Sequence, residues 1–228
     1  MKIYEYTNKG SREINQDFVI HSVISSNTAI MVVADGMGGY SFGEIASQVI
    51  SESIVEFVRM NISNYSPTEL LKESIIYAND CLMLKRLSLG VKSIGAVVSV
   101  LLTIKNDAYF TWLGDSRLYL YRDGIEVYRT QDHSVINELS KIKSLMSSDL
   151  DRYSSVVTRS IMGDDRLRKA EVSHVSVQQG DIFVLCTDGF HKELAMSNAT
   201  EYNDSHKDIL DLKSANISDN YSFIKFEV

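Results

Sequence analysis

The strongest constraint on this chain is the order of its hydrophobic periods: two strand-like runs, then two consecutive amphipathic helical segments, then a long series of strands. Residues 17–24 (DFVIHSVI) and 29–34 (AIMVVA) are rich in β-branched residues and split by the turn-like SSNT, so they read as neighbouring strands. From Phe42 the apolar residues fall at 42, 45, 46, 49, 50, 54, 57 and 58, the spacing of one helix face, with Ser41 placed to cap it. A second helix opens at Tyr65-Ser66-Pro67-Thr68-Glu69-Leu70. There Ser66 caps, Pro67 takes the first helical position, Glu69 completes a capping box, and Tyr65 with Leu70 forms a hydrophobic staple. Leu71, Ile75, Ala78 and Leu82 carry it to roughly Leu87.

Strand patterns then return at 93–104, 107–114, 117–122 and 125–130, punctuated by Asn106-Asp107 and by Asp123-Gly124, which suits a hairpin turn. The polar stretch 131–158 has some helical character through Val135, Leu139 and Ile142, but also the serines and aspartates of SLMSSDLDRYSS, and is the candidate flap or lid. Further strands are expected at 170–177, 181–189 and 221–228, with a polar helix-or-loop region before the last. No helix follows each strand, so parallel winding is disfavoured. An α+β fold of two sheets covered by helices, one domain over residues 1–228, is the expectation.

Composition narrows the function classes. Apolar residues at 44%, charged residues at 23% and a single proline, Pro67, describe an ordered chain. The net charge of −7 opposes non-specific attraction to nucleic acid or anionic lipid, and the aromatic residues around Trp112 read as sheet packing rather than as a base-stacking surface. No apolar run is long enough to span a membrane and MKIYEYTNKG lacks a secretory core, so a cytoplasmic protein, monomeric by default, is expected. Cys81 and Cys186 read as buried reduced thiols, and His133 as a loop or cap residue. Without CxxC, HExxH or a Walker loop, any metal must be held mainly by oxygen.

Two hydrophobic runs end alike: IMVVADG brings Asp35-Gly36 to a strand end and IFVLCTDG does the same for Asp188-Gly189. Either copy alone reads first as a turn. Together they place carboxylates on rigid supports, with glycines that let a backbone come close. Asp17, Asp115 and Asp219 sit in three further polar motifs, RxxNxD, GDSR and SDN. Carboxylates from separate strand ends are the donors that hard cations require, which leaves a Mg2+ or Mn2+ site open as one possibility among others.

SREINQD, VVADGMGGYSFGEIAS, WLGDSRLYLYRDG, QDHS, VVTRSIMG, GDIFVLCTDGF and the final SDN occur in the order seen in PP2C-type serine/threonine protein phosphatases, and the chain resembles the bacterial branch of that family over residues 11–220. The resemblance implies a sandwich of two mainly antiparallel sheets flanked by helices, with two Mn2+ or Mg2+ ions and a third, weaker position. It implies that Asp35 bridges both ions, that the Gly36 carbonyl binds one, that Asp188 and Asp219 hold the other, and that Asp17 acts through bound water. Asp115 is similar to the aspartate near the third position, and Arg12 to the arginine that grips substrate phosphate. Asn15 would order the Arg12 loop, Glu44 would serve the helix start or a bound water, and Arg117 would pair with Asp115. The implied activity is hydrolysis of phosphoserine and phosphothreonine in proteins, opposing a Ser/Thr kinase, by direct attack of water. Tyr40 and Met37 stand where relatives carry histidines, Gly38-Gly39 would form a bend, and GAVV replaces a threonine-rich segment near Gly95. These departures keep a second reading in play, a catalytically weak phosphoprotein-binding module of the same fold.

Overall fold

The computed structural model describes residues 1–37, 42–142 and 144–228, apart from the side chains of Asp151 and Ser197. Two five-stranded, wholly antiparallel sheets face each other. The first runs β2(Asp17–Ser25), β3(Thr28–Gly36), β4(Ala96–Ile104), β5(Asp107–Leu113), β8(Ser173–Ser176). The second runs β1(Lys2–Asn8), β10(Tyr221–Glu227), β9(Ile182–Cys186), β6(Arg117–Arg122), β7(Ile125–Arg129).

The central strands of each sheet are dry on both faces, which is why they are continuous apolar runs rather than alternating ones. In β3, Ala29, Met31 and Val33 point between the sheets, where they meet Leu101, Phe110, Leu185 and Phe226. Ile30, Val32 and Ala34 point outward beneath α1(Gly43–Asn61) and α2(Pro67–Leu89). In β9, Phe183 and Leu185 face the sandwich, while Val184 and Cys186 face the cover formed by α5(Asp188–Glu193) and α6(Lys207–Lys213). The expected α+β sandwich is therefore what the chain adopts. Among the described residues, no helix is long and apolar enough to cross a membrane.

The α2 capping box forms as expected, with Ser66 Oγ accepting from Glu69 N at 3.4 Å and the Glu69 carboxylate accepting from Ser66 N at 3.3 Å. Tyr65 packs its ring on Phe57, with centroids 6.0 Å apart. The helix runs on to Leu89, where Gly90 in the left-handed region ends it. Asp123 and Gly124, at φ 51 and 75, make the β6–β7 hairpin turn.

Several boundaries differ from expectation. The turn before β5 is built on Lys105, φ 55, ahead of Asn106-Asp107. β4 starts at Ala96 because Ile161 pairs with that residue and the edge of Gly95 lies against Met162. β8 keeps only four residues of the segment 170–177. The strand β1 is additional to the expected set. The expected cap Ser41, the bend at Gly38-Gly39 and Tyr40 lie outside the described residues. The helix that follows has Phe42 at its N-cap position, at φ 67 and with no side-chain cap bond. Within 131–158 stand α3(Val135–Ser140) and α4(Ser147–Tyr153), tied at the base by the Ser134–Val157 bridge.

Candidate metal centre

The two Asp-Gly pairs arrive at the same end of the sandwich. Asp35 is the penultimate residue of β3 and lies opposite Asp17 in the β2 register. β9 stops at Cys186, so Asp188 stands two residues beyond the strand, at the first position of α5. Each glycine is required by a close backbone crossing. A Cβ at Gly36 would collide with the backbone of Gly43, and one at Gly189 with the backbone of Asn220. The crossing at Gly189 brings Asp219 beside Asp188.

Asp35, Asp115, Asp188 and Asp219 line one cavity of about 410 Å³, together with Arg12 and Gly36. Asp17 is buried beneath it: Thr187 Oγ1 donates to its Oδ2 at 2.9 Å, while its Oδ1 has no hydrogen-bond partner. The arginine loop is pinned by Asn220, which accepts from Gln16 N at 2.8 Å and donates to the carbonyls of Lys9 and Ile14 at 2.9 and 3.0 Å. Asn15 orders the same loop as expected, accepting from Asp17 N and donating to Thr7 Oγ1.

The carboxylates repel one another in a poorly solvated site. Burial, with the charges of Asp17, Asp188 and Asp115 behind it, holds the Asp35 carboxyl well above the usual range. Burial pushes Asp17 up to about 7 and Asp115 to about 6, with Asp188 adding to both. At Asp188 burial acts in the same direction but is outweighed by Lys192, one helical turn on, whose Nζ donates to Oδ2 at 2.7 Å, so this carboxyl sits below its ordinary value. Arg12 forks onto Asp219, Nε to Oδ1 at 3.0 Å and Nη2 to Oδ2 at 3.1 Å. Among the described residues no three Asp, Glu, His or Cys side chains are drawn in about a single point, and the cations Lys192 and Arg12 hold two of the carboxylates instead.

The donor set nevertheless fits hard divalent cations. It is all oxygen, it is several carboxylates strong, and Asp17 keeps a buried oxygen without a partner, a cost that a neighbouring cation or its water would relieve.

One expected role moves and two hold. Arg117 does not pair with Asp115; it forks onto Asp132 with both bonds at 2.7 Å, because β6 carries its side chain toward the 131–134 segment. Glu44 sits in the first turn of α1, where a negative charge suits the helix dipole, and is not among the described residues lining the cavity. His133 accepts from Gly114 N at 3.3 Å and stacks on Trp112, as a loop residue does. Lys192, Thr187 and Asn220 were not singled out from the sequence. Thr187 and Asn220 lie in the TDG and SDN motifs, and Lys192 carries its i+4 spacing from Asp188.

The sequence pattern of protein phosphatase 2C matches residues 7–220. The chain belongs to the protein phosphatase 2C family. It is 30% identical over 195 residues to a protein phosphatase, PhpP, of Streptococcus pneumoniae, covering 83% of this chain and 78% of that protein. Serine/threonine phosphatase Stp1 from Staphylococcus aureus superposes with a TM-score of 0.83 at 20% identity, over 100% of this chain and 94% of that one. The catalytic domain of the serine/threonine phosphatase PstP, solved in complex with two manganese ions, superposes at 0.78 with 19% identity, over 98% and 96% of the two chains. The protein phosphatase 2C fold and family thus account for the end-to-end order of the acidic motifs, which short Asp-Gly turns alone do not.

Proposed function

We propose that this protein hydrolyses phosphoserine and phosphothreonine in proteins phosphorylated by a Ser/Thr kinase, using two Mn2+ or Mg2+ ions. The observation that carries this reading is the convergence of Asp35, Asp188, Asp219 and Arg12 on one cavity from four separate parts of the chain. Asp35 and the Gly36 carbonyl would hold one ion, and Asp35 with Asp188 and Asp219 the other. Asp17 would steady bound water from below, and Asp115 would stand beside a third, weaker cation. Such ions supply Lewis acidity and a water made nucleophilic near neutral pH.

The protein's own groups do the rest. Arg12 is more than half exposed, and its bonds to Asp219 use Nε and Nη2 only. The Nη1 amino group remains available to a phosphate oxygen, so the arginine can position substrate while holding a carboxylate in place. Ser155 and Val157, from the 131–158 segment, line the same cavity, which suits a cover that meets the protein carrying the phosphate. Neither His133 nor His191 supplies a cation at neutral pH, since burial first, then Arg159 and Arg117 respectively, hold both imidazoles down at about 4.

The test is phosphate release from a phosphothreonine peptide with Mn2+, after chelation, and with Asp35→Asn. Metal-dependent release that falls at least about a thousandfold in the variant, whose circular dichroism is unchanged, is expected. The occupation of Asp188 and Asp219 by Lys192 and Arg12 favours one second reading, a phosphoprotein-binding module with weak turnover. Saturable peptide binding that survives chelation, with no release above the variant, would establish that reading instead.

A further inference from the structure

A second cavity of about 340 Å³ opens beside the carboxylate cavity, and Met37 and Val157 line both. Its wall carries Arg159, Arg166 and Arg168, in a chain whose net charge is −7. Residues 159–169 hold four cationic side chains against two carboxylates, so positive charge is concentrated where the rest of the molecule is acidic.

The arginines stand on anchored backbone. Thr158 N donates to His133 O at 2.7 Å, and Ile161 exchanges two backbone hydrogen bonds with Ala96 at the start of β4. The following loop is clamped to α2: Asn79 Nδ2 donates to Asp164 O at 3.0 Å, and Asp164 N donates to Asn79 Oδ1 at 3.3 Å. Gly163, at φ 58, leaves no room for a Cβ against the backbone of Leu82 and Met83. Glu171 holds Arg159, and the Asp164 carboxylate holds Arg166. Arg168 is exposed and, among the described residues, has no hydrogen-bond or ion-pair partner.

We propose that this pocket receives an acidic group of the phosphoprotein substrate, a carboxylate or a second phosphate, carried within about four residues of the phosphoserine or phosphothreonine. Arg168 is the specificity-determining residue, because its guanidinium fork is unclaimed and matches either anion. Arg159 and Arg166 strengthen the local field. Met37, Val157 and Met162 give the intervening peptide an apolar floor. An extended peptide advances about 3.3 Å per residue, so a substrate whose phosphate enters the first cavity reaches the second within a few residues. The inference rests on the phosphatase reading, and two separate readouts keep their failures apart.

The experiment uses neutral phosphothreonine peptides with a single Glu, phosphoserine or Lys placed in turn at each position from four before to four after the phosphothreonine. Turnover is read as kcat/KM with Mn2+, and binding by anisotropy of the labelled peptides after chelation. At one or two adjacent positions Glu or phosphoserine should raise kcat/KM and tighten binding about three- to tenfold over Ala. Arg168→Gln should remove the preference while leaving the rate on the neutral peptide unchanged, and Arg168→Glu should transfer it to Lys at the same position. A preference for phosphoserine alone identifies a second phosphate as the ligand, and an equal preference identifies any anion. Turnover with no positional preference, or a preference untouched by Arg168→Glu, overturns the pocket and leaves the phosphatase reading standing. Positional preference in binding without turnover does the reverse, and the absence of both overturns both.

Discussion

Lys192 is the residue on which the charge balance of the cavity turns. Its ammonium bonds Asp188 at 2.7 Å, and its charge also favours ionisation of Asp115 and Asp35 from outside. A divalent cation approaching Asp188 must displace that ammonium or share the carboxylate with it. Lys192→Gln should therefore tighten Mn2+ binding about three- to tenfold by calorimetric titration; an unchanged dissociation constant would mean that the ammonium leaves at no cost. Asp17 contributes, beside the likewise raised Asp35 and Asp115, to the pH behaviour of the metal-free protein. Its folded pKa of about 7 lies above the unfolded value near 4, so the folded state binds the extra proton and the associated stability is lost as pH rises from about 4 to about 7. Melting in chelator should fall across that window, Asp17→Asn should flatten the fall, and Mn2+ should restore stability at the upper end with release of protons. Arg12 and the five aspartates were legible in the sequence because Asp35 and Asp188 close hydrophobic runs as Asp-Gly pairs and the others sit in short polar motifs. The partners that hold them were not, since the bonds from Gln16 to Asn220, from Thr187 to Asp17 and from Arg117 to Asp132 join residues that only the folded sheets bring together.

Among the elements, α2 and the start of α5 make opposite predictions. The Ser66 capping box lies at an exposed helix end, remote from the carboxylates, so Ser66→Ala should cost about 1 kcal/mol in urea unfolding and leave metal affinity unchanged. Gly189→Ala forces a Cβ onto the backbone of Asn220, the residue that pins the Arg12 loop. It should cost about 1–3 kcal/mol and weaken Mn2+ binding as well, a paired loss that a purely structural glycine would not show. The helices and inner strands were legible because their periods are long and regular. β1 escaped because Tyr4 and Tyr6 are its only two buried side chains and charged or polar residues surround them, a weak period-two signal that becomes a strand only when β10 supplies the hydrogen bonds. The 131–158 segment showed its polarity and, through Val135, Leu139 and Ile142, the helical character of α3, but not α4, which is less than two turns long.

Across the whole molecule, strand order was the least legible property, because the second sheet joins segments from both ends of the numbering: Lys2–Asn8 and Arg117–Arg129 stand on either side of β10 and β9. Local pattern specifies that a segment is extended and which faces it buries, whereas its neighbours follow from how all the segments pack. β10 occupies the second place in that sheet, with β1 on one side and β9 on the other, and Asp219 and Asn220 directly precede it. During synthesis, therefore, the first strand emerges more than two hundred residues before β10, the strand it pairs with among the described residues. A nascent chain that stops short of residue 219 has neither the last carboxylate nor the asparagine that fixes the arginine loop, whatever else it has folded. Such a fragment is an incomplete sheet with an open edge and a disassembled cavity, so interrupted translation yields material for proteolysis rather than a partly active enzyme.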